Sequence, residues 1–152
     1  MTEVRFYHLT RRSLLQALPR LLEMTLERGK TAVVRCGDAE QVEKLAEHLW
    51  TYDDRGFLPH GTAADGHAER QPIWITAAEE NPAGASFLFL VYGAEWPDVS
   101  GFERCMLLFD GHDDTAVQAA RGQWKRFREA GHQLSYWQQD DSGRWVDKAA
   151  GG

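Results

Sequence analysis

The strongest constraint on the fold is the order in which strand and helix patterns follow one another. Residues 3–9 alternate apolar and polar side chains, as a strand with one buried face does, and leucines then recur at helical spacing until Gly29. Residues 31–36 form a β-branched apolar run of strand length, and a second helical pattern follows it. This order predicts an α/β fold whose parallel strands are joined by right-handed crossovers.

The first two helices carry local signals of their own. Pro19 interrupts the first helical pattern and predicts a kink or a late start, because proline lacks the backbone N–H of a helix interior. Asp38 and Gln41 have the spacing of a capping box before the second helix. Both helices are therefore expected to be amphipathic and to cover a sheet.

Further patterns complete a single domain over residues 1–152. Residues 72–76, 86–92 and 104–109 are predicted strands, 113–130 a third helix, and 134–138 with 144–146 a hairpin around the turn at 140–143. Residues 60–71, rich in Gly, Ala, Asp and His, are predicted to be a flexible loop that adds little to the core. The expected architecture is a mainly parallel sheet flanked by helices, with a C-terminal hairpin and loose final residues.

Composition limits the classes of function. No apolar run approaches the roughly 18 residues of a membrane span, and the N-terminus shows no secretory pattern, so a cytoplasmic location is expected. A formal net charge of −6 argues against tight, direct binding to nucleic acid. Cys36 and Cys105 lie in strand-like apolar contexts and are expected to be reduced, buried thiols.

An aromatic segment, residues 49–61, follows the second helix. Its aromatic side chains need either a core to enter or a partner to contact, because loops are usually polar. Trp50 ends an apolar helical stripe and is expected to pack inward and position the loop. Phe57, with Pro59, lies beyond the stripe and is expected to face a partner.

The third helix predicts a second binding surface, which we call the basic shelf. At about 100° per residue, Ala116, Ala120 and Phe127 share the core face, while Arg126 points away. Trp124 and Val117 lie at the edge of that face, bordered by positive charge. The members of the basic shelf are Val117, Arg121, Trp124, Lys125 and Arg128.

Several short motifs together resemble the chi subunit of bacterial DNA polymerase III. The aromatic segment, with Leu-Trp-Thr-Tyr at 49–52 and Phe-Leu-Pro-His-Gly at 57–61, is the most specific of them. The likeness covers nearly the whole chain. Its other motifs are Phe-Tyr at 6–7, Arg-Cys-Gly-Asp at 35–38, Leu-Leu-Phe-Asp at 107–110, Ala-Arg-Gly-Gln-Trp-Lys at 120–125 and Ala-Gly at 130–131.

The resemblance implies a non-catalytic accessory subunit with a nucleotide-binding-like topology but no working nucleotide site, cofactor or metal. Members of that family bind the psi subunit of the clamp loader complex and the acidic C-terminal tail of the single-stranded-DNA-binding protein. Some also bind a repair helicase. The resemblance assigns the tail to the basic shelf, and psi or the helicase to a surface that matches at Trp50, Phe57, Pro59 and His60.

Two positions of the basic shelf depart from the family pattern. Val117 stands where the compared family member has a lysine, so one contact to an anion is expected to be lost. Trp124 replaces a tyrosine and keeps an aromatic wall. Lys125 or Arg128 is expected to supply the missing charge.

Alternative chemistries remain open on the sequence. The acids at 110–114 suit a divalent metal, as in a small α/β metal-dependent hydrolase or phosphotransferase, but capping of the third helix also explains them. A metal site at His60, Asp65 and His67, or a nucleophile and base formed by Cys36 and His112, has weaker support. Residues 35–39 occupy a phosphate-binding position but lack the required glycines.

Overall fold

The computed structural model describes residues 2–51 and 58–148, which form one seven-stranded sheet with helices on both faces. The α-helices are α1 (Leu14–Glu27), α2 (Ala39–Thr51) and α3 (Asp114–Glu129). The strands are β1 (Glu3–Leu9), β2 (Ala32–Arg35), β3 (Ile73–Thr76), β4 (Phe87–Leu90), β5 (Arg104–Asp110), β6 (Gln133–Gln139) and β7 (Trp145–Asp147). The predicted α/β architecture is confirmed.

The strand order is β3-β2-β4-β5-β1-β6-β7. The paired strands are parallel except β6 and β7, which form the predicted antiparallel hairpin. Strand β4 lies inside the sheet between β2 and β5, and all four of its residues are buried, as its continuous apolar run predicts. The predicted parallel sheet with a C-terminal hairpin is therefore correct.

Two apolar clusters lie on opposite faces of the sheet, and different helices cover them. One cluster contains core residues of α1 and α2, including Leu18, Leu22 and Leu45. The other contains Ala120 and Phe127 of α3, and Phe102 from the loop after β4. The helix that follows β1 and the helix that follows β5 thus cover opposite faces, although β1 and β5 are neighbours.

Helix α1 begins at Leu14, so Pro19 lies inside it and causes no late start. A capping box fixes this beginning, because Gln16 N donates to Ser13 Oγ over 3.3 Å and Ser13 N donates to Gln16 Oε1 over 2.9 Å. Helix α2 has a related cap in which Gln41 N donates to Asp38 Oδ1 over 2.8 Å. The Gln41 side chain, however, accepts from Gly37 N rather than from Asp38 N.

The prediction that residues 60–71 add little to the core is wrong at its start. His60 and Thr62 are buried. Gly61 pairs with Trp74 beside strand β3, since Gly61 N donates to Ile73 O and Ile75 N donates to Gly61 O, each over 2.9 Å. The last residue of the aromatic segment therefore extends the sheet edge.

Both cysteines are buried and unpaired, as the sequence predicts. Burial, with a smaller effect of the Asp38 charge, raises the pKa of the Cys36 thiol to about 12. Burial also raises the pKa of Cys105. Neither thiol is a nucleophile at neutral pH, because the thiolate is the reactive form.

A membrane-spanning helix is not found in the described ranges, where every helix is too short or too polar to cross a bilayer.

Candidate partner-binding surfaces

The basic shelf lies along α3, and the core face of that helix is as predicted. Ala120 and Phe127 are buried, and Ala116 is partly buried against the same cluster. Arg126 points away and forms an ion pair with Glu95, with 2.9 Å between Nη2 and Oε1. The predicted rotation of α3 is therefore confirmed.

Trp124 forms a fixed aromatic wall at the edge of the shelf. Its ring meets Phe6 edge to face, with centroids 5.1 Å apart and planes at 71°. It meets Tyr136 of β6 in the same way, with centroids 6.2 Å apart. Val117 also packs against this apolar cluster. Two strands and a helix thus hold the wall in one orientation.

Tyr136 is a member of this surface that the sequence interpretation missed. Its hydroxyl forms a hydrogen bond with His8 Nδ1, and its ring also lies near Phe109. Burial raises the pKa of Tyr136, and the nearby positive charge of Arg121 opposes that effect. The period-2 alternation of β6, which places Leu134 and Tyr136 on the α3 side, was the available signal.

The cations of the shelf are exposed and available. Arg121, Lys125 and Arg128 are exposed, and none of them has an ion pair with another residue in the ranges 2–51 and 58–148. They follow one another at helical spacing on one side of α3. The surface therefore combines a rigid apolar wall with three cations that have no counter-ion among the described residues.

Trp50 does not pack inward as the sequence predicted. Its side chain is 53% exposed, at the penultimate position of α2. The apolar stripe that it was expected to continue is already completed by Leu45 and Leu49, both fully buried. Trp50 instead rests against the His60 ring, with centroids 4.5 Å apart.

His60 lies beneath Trp50 and is buried rather than presented to solvent. Its Nδ1 is 2.7 Å from Leu58 O and its Nε2 is 3.0 Å from Ala46 O. These contacts tie the C-terminal part of the aromatic segment to α2. His60 therefore supports this surface from below, while Pro59 is half-buried. Phe57 lies outside the described residues.

The acidic side chains of Asp110 and Asp113 accept hydrogen bonds from backbone N–H groups in the β5–α3 turn. Asp110 Oδ1 accepts from His112 N over 2.8 Å, and Asp113 Oδ1 accepts from Thr115 N over 2.9 Å. Among the described residues, no group of three or more His, Cys, Asp or Glu side chains is arranged to hold a metal ion. The structure therefore lends no support to the metal-dependent alternative at this turn.

The other alternative sites are occupied by internal contacts. Arg35, at the candidate phosphate position, donates to the carbonyl oxygens of Ala77 and Glu95. The Nε2 atom of His112 lies 2.8 Å from the carbonyl oxygen of Thr10. The pKa of Cys36 is raised, so its thiol stays protonated at neutral pH. Asp65 accepts from Thr62 N. Each of these groups is explained by local structure.

Similarity to known proteins agrees with the resemblance seen in the motifs. The family model described as DNA polymerase III chi subunit, HolC, matches residues 1–135. A protein of Rickettsia prowazekii (strain Madrid E), named probable DNA polymerase III subunit chi, is 35% identical over 91 residues, which are 60% of this chain and 55% of that protein. The chain thus spans little more than half the length of this relative.

A second relative is DNA polymerase III subunit chi of Escherichia coli (strain K12). It is 25% identical over 107 residues, which are 70% of this chain and 73% of that protein.

Proposed function

Because the chain belongs to the DNA polymerase III chi subunit family, an accessory subunit in DNA replication, we propose that it is a non-catalytic connector with two partner surfaces. One surface is the basic shelf, for the acidic C-terminal tail of the single-stranded-DNA-binding protein. The other is the aromatic segment, for the psi subunit of the clamp loader or a repair helicase. Its place of action is the cytoplasm.

The observation that carries this proposal is that Trp124 lies beside cations with no ion pair to any described residue. A tail that ends in acidic residues, an apolar side chain and a free carboxylate offers the complementary groups. The apolar side chain packs on the wall of Trp124, and Arg121 grips a carboxylate with two parallel hydrogen bonds. Lys125 and Arg128 attract the preceding acids.

The exposed Trp50 supports the second surface. A tryptophan that is 53% exposed at a helix end presents a large apolar area to solvent, and such residues are enriched where proteins bind each other. His60 and Leu58, both buried, anchor the C-terminal part of the segment. Phe57 and Pro59 complete the proposed contact area.

Direct, tight contact with nucleic acid is not part of this proposal. The formal net charge is −6, and the three cations of the shelf are too few for the many phosphate contacts of general binding. The chain contacts DNA through its partner.

The tail site is tested by calorimetry with a synthetic tail peptide. Arg121→Ala is expected to weaken binding by about 1–3 kcal/mol, the usual loss for a charged hydrogen bond. Arg126→Ala is the matched control, because Arg126 lies on the same helix but is paired with Glu95 on another side. Unchanged affinity in Arg121→Ala would remove the assignment of the tail to the shelf.

The two-surface arrangement is tested by pull-downs from the native cell extract with wild type, Phe57→Ala and Arg121→Ala side by side. Each variant is expected to lose a different partner and to keep the other. If both variants recover the same partners as wild type, the connector proposal fails. Thermal stabilisation by Mg²⁺ rather than by the tail peptide would favour the metal-dependent enzyme instead.

A further inference from the structure

Strand β7 presents an apolar side chain on the face of the sheet that carries the basic shelf. Its first residue, Trp145, lies opposite Gln139 and packs against the apolar cluster of α1 and α2. Successive side chains of a strand point to opposite faces, so the next residue, Val146, points to the α3 side. Val146 is 37% exposed. An apolar residue of the last strand is therefore open to solvent beside the shelf.

Lys148, directly after the end of β7, places a cation on the same face. Its backbone N donates to the carbonyl oxygen of Tyr136 over 2.6 Å, which continues the register that pairs Val146 with Gln138. Residues directly opposite each other in an antiparallel pair share a face, and Tyr136 lies on the α3 side. Lys148 is exposed and has no ion pair with another residue in the ranges 2–51 and 58–148.

Tyr136 forms a floor between this strand and α3. Its ring meets Trp124 of the shelf, with centroids 6.2 Å apart, and Trp124 also meets Phe6 of β1. Because β6 lies between β1 and β7 in the sheet, α3 stands on one side of Tyr136 and β7 on the other. We call Val146 and Lys148 the strand wall.

The cations of the shelf face the same floor from the helix side. Burial raises the pKa of Tyr136, and the charge of Arg121 acts against that effect, which places Arg121 close to the phenol. Lys148 is bonded through its backbone to the same residue. The floor thus has an aromatic ring at its centre and a cation on each side.

This arrangement suits an extended acidic peptide. Neighbouring strands lie about 4.7–4.9 Å apart, so the strand wall is only one strand spacing away from Tyr136. An extended chain points successive side chains in opposite directions. A peptide lying over Tyr136 therefore directs one acidic side chain to the cations of α3 and another to Lys148.

The strand wall lies beyond the stretch matched by the family model, which ends at residue 135. The family pattern therefore assigns no role to β7. The strand wall also adds a cation to a shelf in which Val117 stands where the compared family member has a lysine.

We propose that Val146 and Lys148 belong to the binding site for the acidic tail, which lies extended between α3 and β7. Lys148 pairs with an acidic side chain of the tail, and Val146 packs against an apolar one. This inference rests on the proposed assignment of the tail to the basic shelf. It adds a second wall, so that helix and strand hold the peptide from both sides.

The first experiment titrates the full chain with a synthetic peptide that ends in acidic residues, an apolar residue and a free carboxylate, and follows amide chemical shifts. Amides of residues 144–148 are expected to shift and to saturate together with those of α3. Saturable shifts along α3 with none at 144–148 would overturn the strand wall and leave the shelf in place. No saturable shift anywhere would remove both.

Single variants connect the binding to the two side chains. Lys148→Ala and Val146→Thr are each expected to weaken peptide binding about threefold, and threonine keeps the β-branched shape that suits a strand. The controls Arg20→Ala and Met24→Ser change exposed residues of α1 on the opposite face and should leave affinity unchanged. If Arg121→Ala weakens binding while both strand-wall variants bind like wild type, the shelf stands and the strand wall fails.

A charge exchange identifies the ion pair itself. Lys148→Glu is expected to weaken binding more than Lys148→Ala, with an unchanged melting temperature because the side chain is exposed. Peptides in which one acid at a time is replaced by lysine are then compared. At one position the lysine peptide should bind Lys148→Glu more tightly than it binds wild type. The same preference for wild type at every position would contradict the proposed contact.

Discussion

His48 Nε2 lies 2.7 Å from the carbonyl oxygen of Leu15, which is the oxygen that Pro19 leaves without its helical donor. In an α-helix the N–H of residue 19 would bond to this carbonyl, and proline has none. A side chain from α2 therefore satisfies a gap in the backbone of α1. The contact also joins the two helices that cover one face of the sheet.

His48→Ala is expected to lower the free energy of unfolding by about 1 kcal/mol, because the Leu15 carbonyl then loses its donor. Urea denaturation measures the change. In a Pro19→Ala background the helix supplies its own N–H, so the cost of His48→Ala should shrink. Equal costs in both backgrounds would show that the two residues are not coupled.

Gly111→Ala is expected to destabilise the protein by about 1–3 kcal/mol, the range for overpacking. A Cβ at this position would overlap the imidazole of His8 and crowd Thr10. Gly101→Ala is the control, since a Cβ there meets no atom within 4 Å. Thermal melts of the two variants should differ, and a stable Gly111→Ala would mean that the His8 ring can move aside.

Tyr136→Phe separates stability from recognition at the shelf. Loss of the hydroxyl removes the hydrogen bond to His8 Nδ1 and should cost about 0.5–1.5 kcal/mol of stability. The ring that supports Trp124 remains, so affinity for the tail peptide should not change. Tyr136→Ala should reduce both. Weaker peptide binding in Tyr136→Phe would instead place the hydroxyl in contact with the tail.

Glu3 predicts a pH dependence of stability. Burial raises its pKa, but hydrogen bonds and charge from Arg5 and Arg104 outweigh burial and lower the pKa below its ordinary value. A lowered folded-state pKa stabilises the protein above the unfolded value, and the contribution disappears as the pH falls through the folded value. The group is partly exposed, so the effect should stay below about 1 kcal/mol.

The measurement compares wild type with Glu3→Gln in urea at neutral pH and again near pH 3. The stability difference should be present at neutral pH and should shrink in acid. Glu43→Gln, at an exposed position on α2 without a described ion pair, should show neither effect. A difference that grows on acidification would contradict the assignment.

Both thiols should be unreactive in the folded state. Burial raises the pKa of Cys36 and of Cys105, so neither presents a thiolate to Ellman's reagent. No release of the chromophore is expected from the native protein, and two equivalents are expected in guanidinium, since the chain has two cysteines. Rapid native reaction of one thiol would reveal an opening of the sheet near it.

Periodicity predicted the fold well because each main element has its own apolar pattern. The run at 87–91 is typical of a strand buried on both faces, and the rotation of α3 followed from 3.6 residues per turn. Trp50 was misplaced because Leu45 and Leu49 already fill the core beneath α2, which a stripe of apolar residues cannot reveal.

The burial of His60 was equally hidden from the sequence. Its place depends on carbonyl oxygens of Leu58 and Ala46, and those backbone positions exist only in the folded chain. Tyr136 belongs to the shelf because β6 pairs with β1 rather than with β5, and that strand order depends on the crossover of α3. The residue pattern of one strand does not show which other strand it will pair with.

The placement of α2 and α3 on opposite faces of the sheet has a consequence for assembly. Partners held at the end of α2 and along α3 would be separated by the full thickness of a packed core, so neither would obstruct the other. Each would then act as an anchor that raises the effective concentration of the other partner's complex. Two individually weak contacts would hold such an assembly together, yet either one could be exchanged without dissolving the whole.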